Sequence, residues 1–285
     1  MKEYSIILII IYFGKWPKWY KLFLESCKRN GDIDFLIFTD QDITVDNSKT
    51  IRIIKFSLAG FNSVASRKLN MQIEIDDPYK ICDLRPAFGN IFEDYIQSYD
   101  FWGHTDVDLI FGKITRFITS HLLDNYEVIT ARKEYLVGHF TLYRNSRKVN
   151  FLYRLSECYE NIFLSKHYSG FDECNFLWWK LIAGRDILSM PIGNPSMTHL
   201  IKKLVFHNRI KALFTPLVME QDHDSDPFDK VLLWKEGNLT DVETKKDILY
   251  FHFHYLKQKK DFYCPLWGFA PNAFQISKNG FSDYN

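Results

Sequence analysis

The stretch Phe101-Trp102-Gly103-His104-Thr105-Asp106-Val107-Asp108 ends an apolar run on two carboxylates one residue apart, shortly before Gly112. In extended backbone, residues i and i+2 project to the same side. Asp106 and Asp108 can therefore face one point while Val107 and Leu109 turn into the core. Two hard oxygen ligands at a strand end suit Mg²⁺ or Mn²⁺, ions that bridge a few carboxylates to substrate phosphates. The competing reading is a polar turn after a buried strand. A second pair lies late in the chain, in Tyr250-Phe251-His252-Phe253-His254-Tyr255-Leu256-Lys257. Alternation puts His252 and His254 on one face and Phe251, Phe253 and Tyr255 on the other. With Lys257, Lys259 and Lys260 following, two imidazoles on one face suit a metal and a phosphate, although an exposed edge strand gives the same pattern. His252 is the favoured ligand because the residues from Ile248 to Phe251 read as buried strand and ligands gather at strand ends; His254 is the alternative.

Such groups need a scaffold to hold them. The run from Ile6 to Phe13 is apolar throughout but shorter than the roughly 20 residues a bilayer span requires, and no small-residue cleavage site follows it. It predicts a buried parallel strand over residues 4–12, since continuous β-branched runs suit a strand covered on both faces. A helix from Pro17 to Asn30 follows, then strands from Ile33 to Thr39 and from Ile51 to Phe56. The patterns further predict a helix over 63–75, a Pro-interrupted helical segment over 78–99, a strand over 99–102, and a helix over 115–123. Strands over 126–130 and 138–145 come next, then a helix over 149–164. Strands alternating with helices define an α/β class with a mostly parallel central sheet flanked by helices. The expected organisation is a single domain over 1–260 with a C-terminal extension over 261–285.

Composition narrows the function. Lys plus Arg (36) balance Asp plus Glu (35), so no overall field favours nucleic acid. The five cysteines are odd in number and include no C-x-x-C pair, which points to reduced thiols and a cytoplasmic setting. No G-x-x-x-x-G-K-[ST], G-x-G-x-x-G or G-x-S-x-G is present, which disfavours P-loop ATPases, Rossmann dehydrogenases and α/β-hydrolases. In open α/β sheets ligands sit at the carboxyl ends of strands, where Asp40 can meet a ribose or base, or serve as a turn acid. Lys80, Asp83 and Arg85 can form a structural ion-pair cluster. Asp172 and Glu173 open a helical stretch, where an acidic pair suits the helix dipole. His139 alternates with Phe140 on its strand. Residues 200–214 read as a basic amphipathic segment, with Leu200, Ile201, Leu204, Val205 and Leu213 near one face. Packing against a core, or weak salt-sensitive contact with an anionic membrane surface, both fit it.

Taken together, the block from Tyr79 to Gly89 (Tyr-Lys-Ile-Cys-Asp-Leu-Arg-Pro-Ala-Phe-Gly), the Trp102–Asp108 stretch, Gly138-His139-Phe140 and His252-Phe253 resemble bacterial glycosyltransferases of the GT-A type from polysaccharide gene clusters. The resemblance covers most of residues 1–260. It implies a GT-A-like fold, with a nucleotide-sugar donor, UDP-sugar in type, lying over the first strands and touching Tyr12, Asp40, Lys80, Asp83, Arg85 and Lys257, whose charges hold phosphates or sugar. It further implies Asp172 and Glu173 as sugar contact or general base, with His139 on the acceptor side. A Mn²⁺ or Mg²⁺ ion would sit between Asp106, Asp108 and the diphosphate, with His252 completing its sphere as a late-strand histidine does in glycogenin-like enzymes. Those enzymes carry His-X-X-Gly-X-X-Lys-Pro-Trp, and the Gly and Pro-Trp are missing here. The implied reaction moves a sugar to a saccharide or lipid-linked acceptor for surface polysaccharide, in the cytoplasm or at the inner face of the plasma membrane. A metal-dependent nucleotidyltransferase and a non-catalytic partner protein on the same fold are the rival classes.

Overall fold

The computed structural model describes residues 3–43, 45, 48–191, 193–221 and 228–284. In chain order the strands are β1 (Ile6–Tyr12), β2 (Asp34–Thr39), β3 (Ile51–Lys55), β4 (Phe101–Thr105) and β5 (Leu109–Phe111). After these come β6 (Val128–Thr130), β7 (Phe140–Arg144), β8 (Ala212–Phe214) and β9 (Val218–Glu220). The last are β10 (Leu232–Lys235), β11 (Asn238–Asp241), β12 (Tyr250–His252), β13 (Ala273–Ser277) and β14 (Gly280–Asp283). A seven-stranded sheet runs in the order β3-β2-β1-β4-β7-β6-β8. Its pairings are parallel except at β7, which lies antiparallel to both β4 and β6. The chain is thus α/β with a large, mostly parallel sheet.

The apolar run of β1 explains why this sheet forms. Ile7 and Ile9 enter one core layer with Trp102 and with Phe61 of helix α2 (Leu58–Leu69). Ile6, Leu8 and Ile10 enter the other with Phe101 and with Phe23 of helix α1 (Tyr20–Lys28). A strand that buries both faces cannot tolerate polar alternation, which is why β1 shows none.

Several boundaries differ from expectation for local reasons. Helix α2 begins at Leu58 because Ser57 caps it, its hydroxyl accepting the Gly60 N–H at 3.0 Å, and it ends where Asn70 turns left-handed. The helix expected over 149–164 is broken into Arg147–Asn150, Leu152–Leu155 and Tyr159–Leu164. Between the last two, Ser156 Oγ accepts the Cys158 N–H at 3.4 Å, a side-chain bond that competes with helix propagation. Residues 200–214 also divide, into helix Met197–Phe206 and strand β8. Leu200 and Ile201 are buried in the core and Leu204 and Val205 pack against it, so the apolar side that could have met a membrane is already covered. Among the described residues no helix is long and apolar enough to cross a membrane.

Two smaller sheets complete the molecule. β12 lies between β5 and β9, antiparallel to the first and parallel to the second. β10, β11, β13 and β14 form an antiparallel sheet, and its Trp234, Phe274 and Phe281 share a core with Leu22, Ile110 and Phe251. The boundary drawn at residue 260 therefore cuts through one sheet, since β13 lies beyond it and pairs with β10 before it, while β14 pairs with β13.

The segment expected to be helical from residue 78 begins as a 3₁₀ stretch, Pro78–Ala87. Within it Lys80 and Asp83 form an ion pair of 2.7 Å with side chains 1% and 0% exposed. Lys80 Nζ also donates to the carbonyls of Ile162 and His167 at 2.7 and 2.8 Å. Asp83 in turn accepts the N–H groups of Ser169 and Phe171 at 2.8 and 2.7 Å. The pair clamps the 167–171 loop, and thereby fixes where Asp172 and Glu173 stand. A buried pair broken on one side leaves an uncompensated charge, so Lys80→Met is expected to destabilise the protein by about 3–5 kcal/mol. Urea unfolding measures this; a stability equal to wild type would mean that the clamp does not hold the loop.

Candidate active site

A cleft of about 390 Å³ opens at the carboxyl ends of β1 and β4, lined among others by Tyr12, Asp106, Asp108, Glu173, His252 and Lys257. Sheet registers build it. Antiparallel pairing sets His252 beside Leu109, next to Asp108, while parallel pairing sets it beside Glu220. The β4–β7 ladder runs on as the Asp106 N–H meets the carbonyl of His139 at 3.4 Å. Val107 is buried, as the alternation predicts, and Asp106 is more exposed than Asp108, with side chains 31% and 5% accessible.

The two aspartates have different partners. Asp106 is paired to Arg85 Nη2, whose Nη1 donates to Asp172 Oδ2 at 3.1 Å. Asp108 Oδ2 accepts from Lys257 Nζ at 2.6 Å and lies 3.5 Å from His252 Nε2 and 3.7 Å from His254 Nδ1. The ligand atoms of Asp108, His252 and His254 fall within 4.8 Å of one another. Asp106 is in no such group among the described residues, so the cluster is centred on Asp108 and the histidines rather than on the Asp-X-Asp pair. Strand β12 ends at His252 and His254 follows it in a turn, yet both imidazoles reach the same carboxylate.

His252 is the pivot. Its Nδ1 contacts Glu220 Oε2 at 2.7 Å, its ring stacks on His139 with centroids 4.1 Å apart, and its buried Nε2 has no hydrogen-bond partner among the described residues. An orphaned imidazole nitrogen aimed at a carboxylate, with the other nitrogen held by a second carboxylate, is the arrangement metal-binding histidines use. Nitrogen donors suit Mn²⁺ better than Mg²⁺. The residues present therefore fit a divalent ion.

Electrostatics follow from this crowding. Burial pushes the His252 pKa down, but Asp108 and Glu220 outweigh it and hold it up at about 10. Burial opposes ionisation of Glu220, yet His139, His252 and Arg132 bring its pKa down to about 2. Burial, then the charge on His252, depresses His139 well below the usual imidazole range; its Nδ1 contacts Tyr250 Oη at 3.0 Å. Asp108 is held well below the carboxylate range, burial being overcome by His252 and Lys257.

On the opposite side Glu173 accepts the Gly138 N–H at 2.7 Å and the Trp178 indole N–H at 2.9 Å. Gly138 is required there, because a Cβ would collide with the Arg85 guanidinium and crowd both Asp172 and Glu173. The two acids do not open a helix; residues 171–176 are turns, and the next helix is Trp178–Ile182. Burial raises both carboxyl pKa values, that of Asp172 most strongly. Only Glu173 of the pair lines the cleft. A line of aromatic rings runs outward from here, Tyr79 to Tyr168 at 4.8 Å, Tyr168 to Phe176 at 5.5 Å and Phe176 to Trp178 at 5.4 Å.

The structure thus gathers Tyr12, Arg85, Asp106, Asp108, His139, Glu173, His252 and Lys257 around one cleft. Lys80, Asp83, Asp172 and Asp40 do not line it. Asp40 instead accepts the Gly14 N–H at 2.8 Å, closing the turn after β1. Glu220 and Arg132, joined at 2.8 Å, escaped sequence reading because the β9–β12 pairing places Glu220 at the site and Arg132, just after β6, meets it only in the folded chain. An α/β chain with an acid–histidine cluster at the carboxyl edge of its sheet is the class these features define. The chain belongs to the DUF6625 family, a family of unknown function whose sequence model matches residues 8–285. No curated protein matches it significantly.

The pH behaviour of the metal-free protein follows from His252. Its folded pKa lies above the ordinary 6.5, so its contribution to stability is complete below pH 6.5 and drains away as the pH rises towards about 10. The melting-temperature gap between wild type and His252→Gln is expected to narrow across that window. A gap that widens with pH would contradict the ionic pairing.

Proposed function

We propose that this protein is a metal-dependent glycosyltransferase of GT-A type that takes a nucleotide-sugar donor in the cleft. The observation that carries the reading is the Asp108–His252–His254 cluster with its orphaned imidazole nitrogen, set where a parallel sheet presents its ligands. A divalent ion held by Asp108 and His252, with His254 beside them, would supply charge against a departing nucleoside diphosphate. Lys257 shares the same Asp108 oxygen and Arg85 stands at Asp106, so two cations already face that place. Tyr12, at the end of β1, lines the same wall as a donor contact.

Glu173 is the better general-base candidate of the acidic pair. It lines the cleft and its raised pKa brings it nearer neutrality, where a base accepts a hydroxyl proton most effectively. Asp172 is fully buried on Arg85 and Tyr168 and serves to position them. The aromatic line from Tyr79 to Trp178 offers flat apolar faces to a saccharide acceptor, with His139 deeper on the metal side. Lys80 and Asp83 act through the loop they clamp rather than by touching the donor.

The test is release of free sugar and nucleoside diphosphate from a panel of nucleotide sugars with Mn²⁺. Asp108→Asn and His252→Ala are each expected to lower turnover by at least ~100-fold, the scale of a lost charge-stabilising group. The Asp106→Asn effect should be smaller, since Asp106 stands outside the histidine cluster. Near-normal turnover in Asp108→Asn overturns the assignment. Pyrophosphate exchange without sugar release would instead mark a nucleotidyltransferase, and binding without turnover a non-catalytic partner protein.

A further inference from the structure

The two most exposed large apolar side chains among the described residues lie outside the cleft, in the loop between the 3₁₀ turn Leu256–Gln258 and β13, with Tyr263 beside them. Leu266 is 88% exposed, Phe269 84% and Tyr263 64%. Water-facing groups of this size usually sit on slack chain, and here they do not. The Tyr263 N–H donates to the Asn279 carbonyl at 2.8 Å and its own carbonyl accepts the Phe281 N–H at 2.9 Å. Gly280, with φ +109°, permits that approach, because any Cβ there would drive into the Tyr263 backbone. Further along, Lys21 of α1 donates to the Gly268 carbonyl at 2.6 Å. The Trp267 indole donates to Asp283 Oδ1 at 3.0 Å and its ring packs on Phe274. The loop is therefore tied down at its base and centre, while residues 263, 266 and 269 are held outward.

Lysines flank these tips in the chain. Lys257, Lys259 and Lys260 precede the loop against a single acid, Asp261, and exposed Lys18 lies close enough to act on Cys264. Protruding aliphatic and aromatic tips flanked by lysines are the combination that enters the headgroup region of an anionic bilayer. A protein interface would more often present a flatter patch than single side chains almost wholly in water.

We propose that loop 262–271 is a membrane-contact device, seating Tyr263, Leu266 and Phe269 among the lipids of an anionic surface with Lys18, Lys259 and Lys260 on the headgroups. The device lies beside the cleft, since the turn before it delivers Lys257 to Asp108. It takes the place of the helix Met197–Phe206, whose Leu200 and Ile201 are buried in the core and which leaves only Phe206 of its apolar side chains largely in water, and it stands whatever reaction the cleft performs.

Flotation with phosphatidylcholine vesicles, with and without phosphatidylglycerol, tests it. Wild type should float with the anionic vesicles at low salt and less so as salt screens the lysines. Leu266→Ser with Phe269→Ser should weaken flotation about tenfold or more, and Lys259→Glu with Lys260→Glu should remove the preference for phosphatidylglycerol. Melting temperatures of the tip variants should equal wild type, because the altered side chains contact mainly water. Lys203→Glu with Phe206→Ser, on the helix Met197–Phe206, should float like wild type. The proposal falls if wild type stays in the unbound fraction, if the tip variant floats unchanged, or if the helix variant is the one that fails. A dimer in light scattering that the tip variant dissolves, with no vesicle binding, would make the loop a protein interface and equally overturn it.

Discussion

One imidazole held between two carboxylates sets the character of this molecule. His252 faces Asp108 across the β5–β12 pairing and Glu220 across the β9–β12 pairing, so the register of a three-residue strand decides the site. A slip of one residue would turn His252 into the apolar layer where Phe251 now packs against Phe228. The aromatic neighbours Phe251 and Phe253, both in the third core, hold that register. The chemistry at the cleft and the packing of the C-terminal sheet are thus one constraint.

The opposing signs around the cleft make the arrangement tenable. Asp106, Asp108 and Glu220 are crowded near Arg85, Arg132, His252 and Lys257, and buried charges persist only when paired in this way. The balance differs across the cleft. On the Asp108 side His252 and Lys257 hold the carboxyl pKa down, whereas on the Glu173 side burial raises it. A pair of acidic environments pushed in opposite directions separates a place for cationic charge from a place for proton transfer.

What the sequence made legible was what periodicity and strand ends govern. The runs of β1 and β2 show their burial in their composition, and the two motifs, Asp106-X-Asp108 and His252-X-His254, do lie at one cleft. What stayed hidden depends on contacts far apart in the chain. Glu220 sits in an undistinguished segment and gains meaning only beside β12. Lys80 and Asp83 carry the charges of a phosphate site, but their hydrogen-bonding capacity is taken up by the 162–171 backbone. Residues 200–214 show an amphipathic pattern that core packing and membrane contact share equally, and only the position of Leu200 and Ile201 in the core separates them.

Binding of Mn²⁺, followed by loss of the free-ion electron paramagnetic resonance signal with a nucleoside diphosphate present, addresses the central claim without relying on turnover. The wild-type chain should take up the ion saturably, and the uptake should be largely lost in Asp108→Asn and in His252→Ala while circular dichroism shows the fold retained. Saturable binding that survives both substitutions, or no binding by the wild type, would contradict the account.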